Sequence, residues 1–237
     1  MQTSKLTPIE AKMQADYDAI AKAFSLSRAE LHWPEVDREI IALKPGMAML
    51  DVGCGMGRLY NTAKTAGLIY AGVDISAQQI AEGKRLNPQA DLEVGSMLHL
   101  PYEDASFDAV FMVASFHHLA TVAERRQAVA EAMRVLKPGG VIVVTVMALW
   151  QKKYWPLFMP WVKGKKRGFM WRDVFVPWRW KVSQPIYRYY HAFRMKELRR
   201  LFVKGGAQVD RVQYVRDGVV SPAHKAKNLV LVARKIV

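Results

Sequence analysis

The stretch Asp51-Val52-Gly53-Cys54-Gly55-Met56-Gly57-Arg58 narrows the architectures open to this chain more than any other. An apolar run, MAMLDV at 47–52, leads into it, and a helical pattern near 57–66 leads out. Glycine accepts left-handed backbone and lets the chain pass close to a ligand, so three glycines between a strand and a helix mark a binding turn. A dinucleotide fingerprint, GxGxxG, would need glycine where Arg58 stands. No Lys-Ser/Thr pair follows to make a phosphate-cradling loop.

The strand–turn–helix unit then repeats. IYAGVD (69–74), DLEV (91–94), FDAVFMVAS (107–115) and VIVVTVMAL (141–149) read as strands. The last is continuously apolar, as expected at a sheet centre covered on both faces. Ser76 with Gln79, and Thr121 with Glu124, open helices in capping-box form, and the second helix is expected to end at Lys137-Pro138-Gly139-Gly140. Upstream, Thr7-Pro8-Ile9-Glu10 starts a helix with Ile9, Met13, Tyr17, Ile20 and Phe24 on one face, and a short helix follows Pro34 to about Leu43. A helix near 194–204 and strands near 207–215 and 228–235 close the chain. The alternation predicts an α/β fold: a doubly wound, mostly parallel, Rossmann-like seven-stranded sheet. One domain is expected over 1–237, with 1–45 an N-terminal helical segment and 151–193 an insertion after the fifth strand.

That insertion is unusual in composition. The net charge is +14, yet residues 1–150 carry more acids than bases, whereas 151–204 hold 15 Lys/Arg against 2 Asp/Glu and 14 of the 25 aromatics. Such asymmetry points to an anionic partner, and five tryptophans within 151–181 argue against a merely solvated basic face. A membrane surface, a nucleic acid and a pocket lid all fit this composition. The single cysteine, Cys54, cannot form an internal disulfide, the N-terminus lacks a signal-peptide pattern, and no apolar run reaches a membrane-spanning length. A cytoplasmic protein without stable membrane insertion is expected, and His and Cys spacing supports no metal site.

Asp51 before the glycines suits a cationic ligand group better than a pyrophosphate. Asp74, ending the second strand, stands where a carboxylate takes both hydroxyls of a ribose. A ribose with a cationic tail describes S-adenosylmethionine. His117-His118 follows the fourth strand at the carboxyl edge of the sheet, where ligands bind in open α/β sheets.

With LPYEDASFDAV (100–110) and RVLKPGG (134–140), the glycine loop resembles the class I S-adenosylmethionine-dependent methyltransferases. AFSLSRAELHWPEV (23–36), SFHH (115–118), RDVFVPW (172–178) and RYYHAF (188–193) resemble a narrower group, the methyltransferases that esterify the carboxymethyl group on the wobble uridine of tRNA. The likeness loosens at RDGVVSPAHKAKNLVLVARK near the C-terminus. The resemblance implies a cofactor set of Asp51, Gly53, Gly55, Gly57, Arg58, Asp74, Ile75, Ser96, Met97 and Val113. Ser96 stands where many members place an acid for the adenine amine. Arg28, His117 and His191 are the expected catalytic residues, with Arg28 clamping the acceptor carboxylate by its guanidinium fork. Trp33, His118, Asp173, Trp178, Arg188 and Tyr190 are expected at the substrate, and Lys163, Lys165, Lys166 and Arg167 on the RNA backbone. The implied partners are the tRNA anticodon loop and the small zinc-binding activator subunit of the eukaryotic relatives. Two readings stay open beside it: a small-molecule or lipid O/N-methyltransferase, and a non-catalytic RNA-binding partner subunit.

Overall fold

The computed structural model describes residues 6–28, 33–162 and 171–236. Lys163, Lys165, Lys166 and Arg167, expected on the RNA backbone, lie outside them. Helix α1 (Pro8–Arg28) opens with the expected capping box: the Glu10 amide donates to Thr7 Oγ1 at 3.2 Å, and the Thr7 amide to Glu10 Oε2 at 2.9 Å. Helix α2 (Pro34–Ile41) follows, with Pro34 at its first turn, where a missing N–H costs nothing.

The βα alternation then runs β1 (Ala48–Val52), α3 (Tyr60–Thr65), β2 (Ile69–Asp74), α4 (Ala77–Leu86), β3 (Asp91–Val94), β4 (Phe107–Val113), α5 (Val122–Val135) and β5 (Leu136–Met147). Helix α6 (Trp155–Val162), the hairpin β6 (Asp173–Trp178) and β7 (Ile186–His191), α7 (Met195–Lys204), β8 (Ala207–Arg216), β9 (Val219–Val220) and β10 (Asn228–Lys235) complete it. The main sheet has eight strands, not the expected seven, in the order β3-β2-β1-β4-β5-β10-β8-β9. The extra strand is the two-residue β9, which folds back on β8. Strands β1 to β5 are parallel, and β10 and β8 join antiparallel.

Two boundaries differ from expectation for physical reasons. The Lys-Pro-Gly-Gly run does not cap α5. Leu136, fully buried, is already extended and pairs with Phe107, so the chain passes from helix directly into β5, and the register shift toward Ala109 absorbs the proline and glycines. The insertion has ordered parts of its own. Strands β6 and β7 pair as a separate two-stranded sheet, and Val174, Val176, Tyr190 and Ala192 pack with Leu149 beyond the end of β5.

The core sits on both faces of the sheet. Phe116, Leu136, Val144, Leu198 and Phe202 belong to one cluster, and Ile40, Met49, Phe111, Val143 and Val230 to the other. Each buried side chain of this size contributes about 1.5–3 kcal/mol by leaving water, so the strands that carry the site are rigidly held. Among the described residues no helix is long and apolar enough to cross a membrane.

Candidate active site

At the carboxyl edge of β1, β2 and β4 lies a cleft of about 370 Å³, within the range of ligand pockets. Its two walls are built differently. The first comes from βα turns. Gly53 has φ +74°, and a Cβ there would fall 2.3 Å from Ser115 Cβ, so only glycine lets the loop seat against the β4 end. The Gly53 and Cys54 amides both donate to the Val73 carbonyl, at 2.7 and 3.1 Å. Asp74 is fixed in turn: Oδ2 accepts from the Gly55 amide at 2.8 Å and Oδ1 from the Ser76 amide at 2.9 Å. Each oxygen keeps lone-pair capacity for a further donor, so this carboxylate can hold a diol. Burial pushes its pKa upward.

Arg58 lies 4.0 Å above the Trp33 ring, and its buried Nη1 has no hydrogen-bond partner. Burial and the neighbouring Arg28 lower its pKa to about 10. An unpartnered buried N–H of a guanidinium fits a carboxylate such as the one on the cofactor's methionine end. Ile75, Met97 and Val113 line the same wall. Ser96 donates its hydroxyl to the Glu10 carboxylate, which also faces the cleft, so α1 supplies an acid next to the position where the sequence has serine.

Not every expected cofactor residue reaches the cleft. Gly55 and Gly57 shape the turn from behind, Gly57 against Leu92. Asp51 is buried beneath the loop and accepts a hydrogen bond from Tyr70 Oη at 3.0 Å. Burial raises its pKa to about 7. It acts on the cleft through its charge, without lining it.

The second wall joins α1, the single-turn helix Phe116–His118 and β7. His117 is buried and stacks on Tyr190 at 4.5 Å between ring centroids, and the half-buried His118 meets Tyr190 edge-on at 4.7 Å. The Met147 amide donates to His117 Nδ1 at 3.3 Å, which leaves the proton of a neutral ring on Nε2; Nε2 is buried and unpartnered. Burial, His118 and Arg188 hold the His117 pKa well below its usual value, and burial and Arg188 bring His118 to about 3. Neither ring has the properties of a general base at neutral pH.

Arg28, Arg58 and Arg188 all line the cleft, and among the described residues none has a carboxylate partner. Arg28 lies 5.3 Å from the Phe24 ring centroid, and burial followed by the charge of Arg188 lowers its pKa. Of the two acids that could make a surface ion pair with Arg28, Asp37 accepts from Thr62, and Glu30 lies outside the described residues.

His191 and Asp173 do not reach the cleft. His191 is fully buried, with Nδ1 at 2.7 Å from Asp173 Oδ1 and Nε2 at 3.0 Å from Glu197 Oε1. With both nitrogens engaged, the ring has none to offer a substrate. Asp173 also accepts from Tyr189 Oη at 2.7 Å and faces Arg125 at 3.9 Å. This network fastens the β6–β7 hairpin to α5 and α7. Trp178 is buried beside Phe24 at 6.3 Å and is a supporting residue. Sequence reasoning missed Tyr17 and Glu10 as cleft residues. Tyr17 lies on the apolar stripe of α1 and reads as core; Glu10 reads as part of a cap.

Known proteins share these features. The methyltransferase-domain family matches residues 50–144. The tRNA (carboxymethyluridine(34)-5-O)-methyltransferase of Schizosaccharomyces pombe is 30% identical over 223 residues, covering 85% of this chain and 90% of the relative. The protein of the same name from Arabidopsis thaliana is 35% identical over 154 residues, covering 64% of this chain and 37% of the relative; the chain spans just over a third of that protein. In structure, the complex of the Haloferax volcanii Trm112 methyltransferase activator with a methyltransferase matches with a TM-score of 0.67 at 17% identity, covering 95% of this chain and 98% of that one. The fold and the cofactor wall define a class I S-adenosylmethionine-dependent methyltransferase, an enzyme that uses S-adenosylmethionine. Within that class, the chain belongs to the family of the tRNA (carboxymethyluridine(34)-5-O)-methyltransferases.

Proposed function

We propose that the enzyme, in the cytoplasm, methylates the carboxylate of 5-carboxymethyluridine at the tRNA wobble position. The observation that carries this reading is the set of three cleft guanidiniums with no carboxylate partner among the described residues, beside two histidines held neutral. A buried unpaired cation costs several kcal/mol, so the cleft is built for anions. The cofactor brings one carboxylate and three guanidiniums are available, which leaves positive charge for an acceptor anion. A carboxylate, with a pKa of ~4, arrives ionised and needs no base.

S-adenosylmethionine supplies an electrophilic methyl on its sulfonium. The chain's own part is placement. Asp74 and Arg58 fix the two ends of the cofactor, Arg28 holds the acceptor carboxylate, and the aromatic wall excludes water, so the rate derives from proximity and alignment. In the insertion after β5, Trp155, Trp171, Trp180 and Tyr187 are exposed, and Arg194 lies 4.8 Å from the Trp150 and 5.3 Å from the Trp171 ring centroids. Exposed aromatics interleaved with cations suit stacked bases and phosphates. A small activator subunit, like the one in the Haloferax volcanii complex, is a further proposed partner.

A salt titration tests the RNA reading. tRNA affinity should fall steeply between about 50 and 200 mM salt, with a log–log slope of several units. Affinity that ignores salt, or appears only with anionic vesicles, would favour a lipid acceptor.

A further inference from the structure

The hydrogen-bond directions around Tyr17 can be derived without reference to any ligand. His118 Nδ1 lies 2.7 Å from the Tyr189 carbonyl oxygen. A carbonyl only accepts, so Nδ1 carries the proton and donates. In the neutral ring Nε2 must then accept, and its neighbour at 2.9 Å is Tyr17 Oη. Tyr17 therefore donates its one proton to His118, and its lone pairs face Arg188, whose Nη1 donates to it at 3.2 Å. That is the only hydrogen bond of Arg188 among the described residues, although the residue is only 5% exposed. Its Nε is buried and unpartnered, and its guanidinium lies 5.7 Å from the Tyr17 and 5.4 Å from the Tyr190 ring centroids. Arg188 is thus oriented by one edge, with no carboxylate in direct contact among the described residues; Asp16 acts on it only through its field.

We propose that Arg188 is the second arm of the acceptor clamp, paired with Arg28 on the substrate carboxylate, and that Tyr17 and His118 are positioning residues that aim it. The relay runs from the Tyr189 carbonyl through His118 and Tyr17 to Arg188, with the Tyr190 side chain also within hydrogen-bonding reach of Tyr17. It tolerates only a neutral His118. A second ring proton would turn Nε2 into a donor, and the Tyr17 hydroxyl would have to turn its hydrogen away from His118, which changes the lone pairs it offers Arg188. The groups facing His118 are Tyr17, Tyr190, His117 and Arg188, and none is an acid that would favour the charged ring. The inference rests on the carboxylate acceptor proposed above.

The test uses the protein saturated with S-adenosylhomocysteine, so no turnover is needed. Its affinity is measured for tRNA carrying carboxymethyluridine and for the same tRNA carrying the methyl ester. The wild-type protein should prefer the acid by roughly tenfold or more, the range of one charge-assisted hydrogen-bond pair. Arg188→Ala should abolish most of that preference while S-adenosylhomocysteine affinity stays unchanged. Tyr17→Phe, which removes the acceptor and keeps the ring, should lose part of it in an otherwise wild-type protein and nothing further beside Arg188→Ala. Arg188→Lys, which retains the charge and folds more safely, should fall between wild type and Arg188→Ala. Additive losses for Tyr17 and Arg188, or an acid preference that survives Arg188→Ala, would overturn the relay alone. A wild-type protein without acid preference would sink both the relay and the carboxylate reading.

Discussion

The two walls of the cleft are made from different materials. The cofactor wall is held in place by backbone: glycine turns, amides donating to Val73, and an Asp74 carboxylate fixed by the Gly55 and Ser76 N–H groups, with Arg58 the one guanidinium on it. The acceptor wall is side chain: Arg28 and Tyr17 from α1, two histidines after β4, and Arg188 and Tyr190 from a hairpin more than 150 residues away from α1. Backbone walls are fixed by a few contiguous residues and serve a ligand that never changes. Side-chain walls are assembled from distant segments and can be altered without disturbing the cofactor. Each wall should therefore fail separately.

The largest effect should come from the backbone wall. In Gly53→Ala the new Cβ collides with Ser115 at a left-handed position. Cofactor binding should drop by about a hundredfold or more, with stability down by ~2–4 kcal/mol; calorimetry with S-adenosylhomocysteine and denaturant melts read both. Retained cofactor affinity would mean that the loop adapts and that the wall is not rigid.

Next comes Arg28→Ala. It should cost about 30–100-fold in kcat/KM, the scale of a lost charge-assisted contact, while cofactor affinity stays within about threefold. Equal losses in both would erase the division between walls.

The pH dependence sharpens the contrast. Both cleft histidines have depressed pKa values, so lowering the pH from 8 to 6 charges neither; His118 gains a proton only near 3. At saturating cofactor the rate should be flat from pH 6 to 9. Side-chain NMR should show neutral rings throughout, protonated on Nε2 in His117 and Nδ1 in His118. A rise with a midpoint near 7 that vanishes in His117→Ala would instead reveal a general base.

The smallest effect belongs to Asp51. Its raised pKa, about 7, leaves it half-ionised at neutrality. As the pH rises through 7 it gains negative charge beneath the loop and should tighten a cationic cofactor by roughly threefold, a shift of well under one kcal/mol. Asp51→Asn should remove that dependence; if the dependence persists, another group is responsible.

The same division explains what could be read from the sequence. The glycine loop, Asp74 and the βα order lie within one contiguous stretch, so the sheet and the turn that frames the cleft were legible from residue types and spacing. The eighth strand was not: Val219–Val220 is too short to carry a period. Arg28 and Arg188 entered only through resemblance, since nothing local distinguishes a clamp from a surface arginine. His191 misled because it entered with the RYYHAF resemblance, and its engagement with Asp173 and Glu197 is a tertiary fact. Tyr17 was concealed by the regularity of α1, where an aromatic on the apolar stripe reads as core.

The most direct test is nucleoside mass spectrometry of tRNA bearing carboxymethyluridine after incubation with the protein and S-adenosylmethionine. The expected result is loss of carboxymethyluridine and matching gain of its methyl ester, strongly reduced in Arg28→Ala. A cofactor-binding protein that leaves carboxymethyluridine untouched with any activator subunit supplied, or that methylates a different acceptor, would contradict the carboxylate clamp.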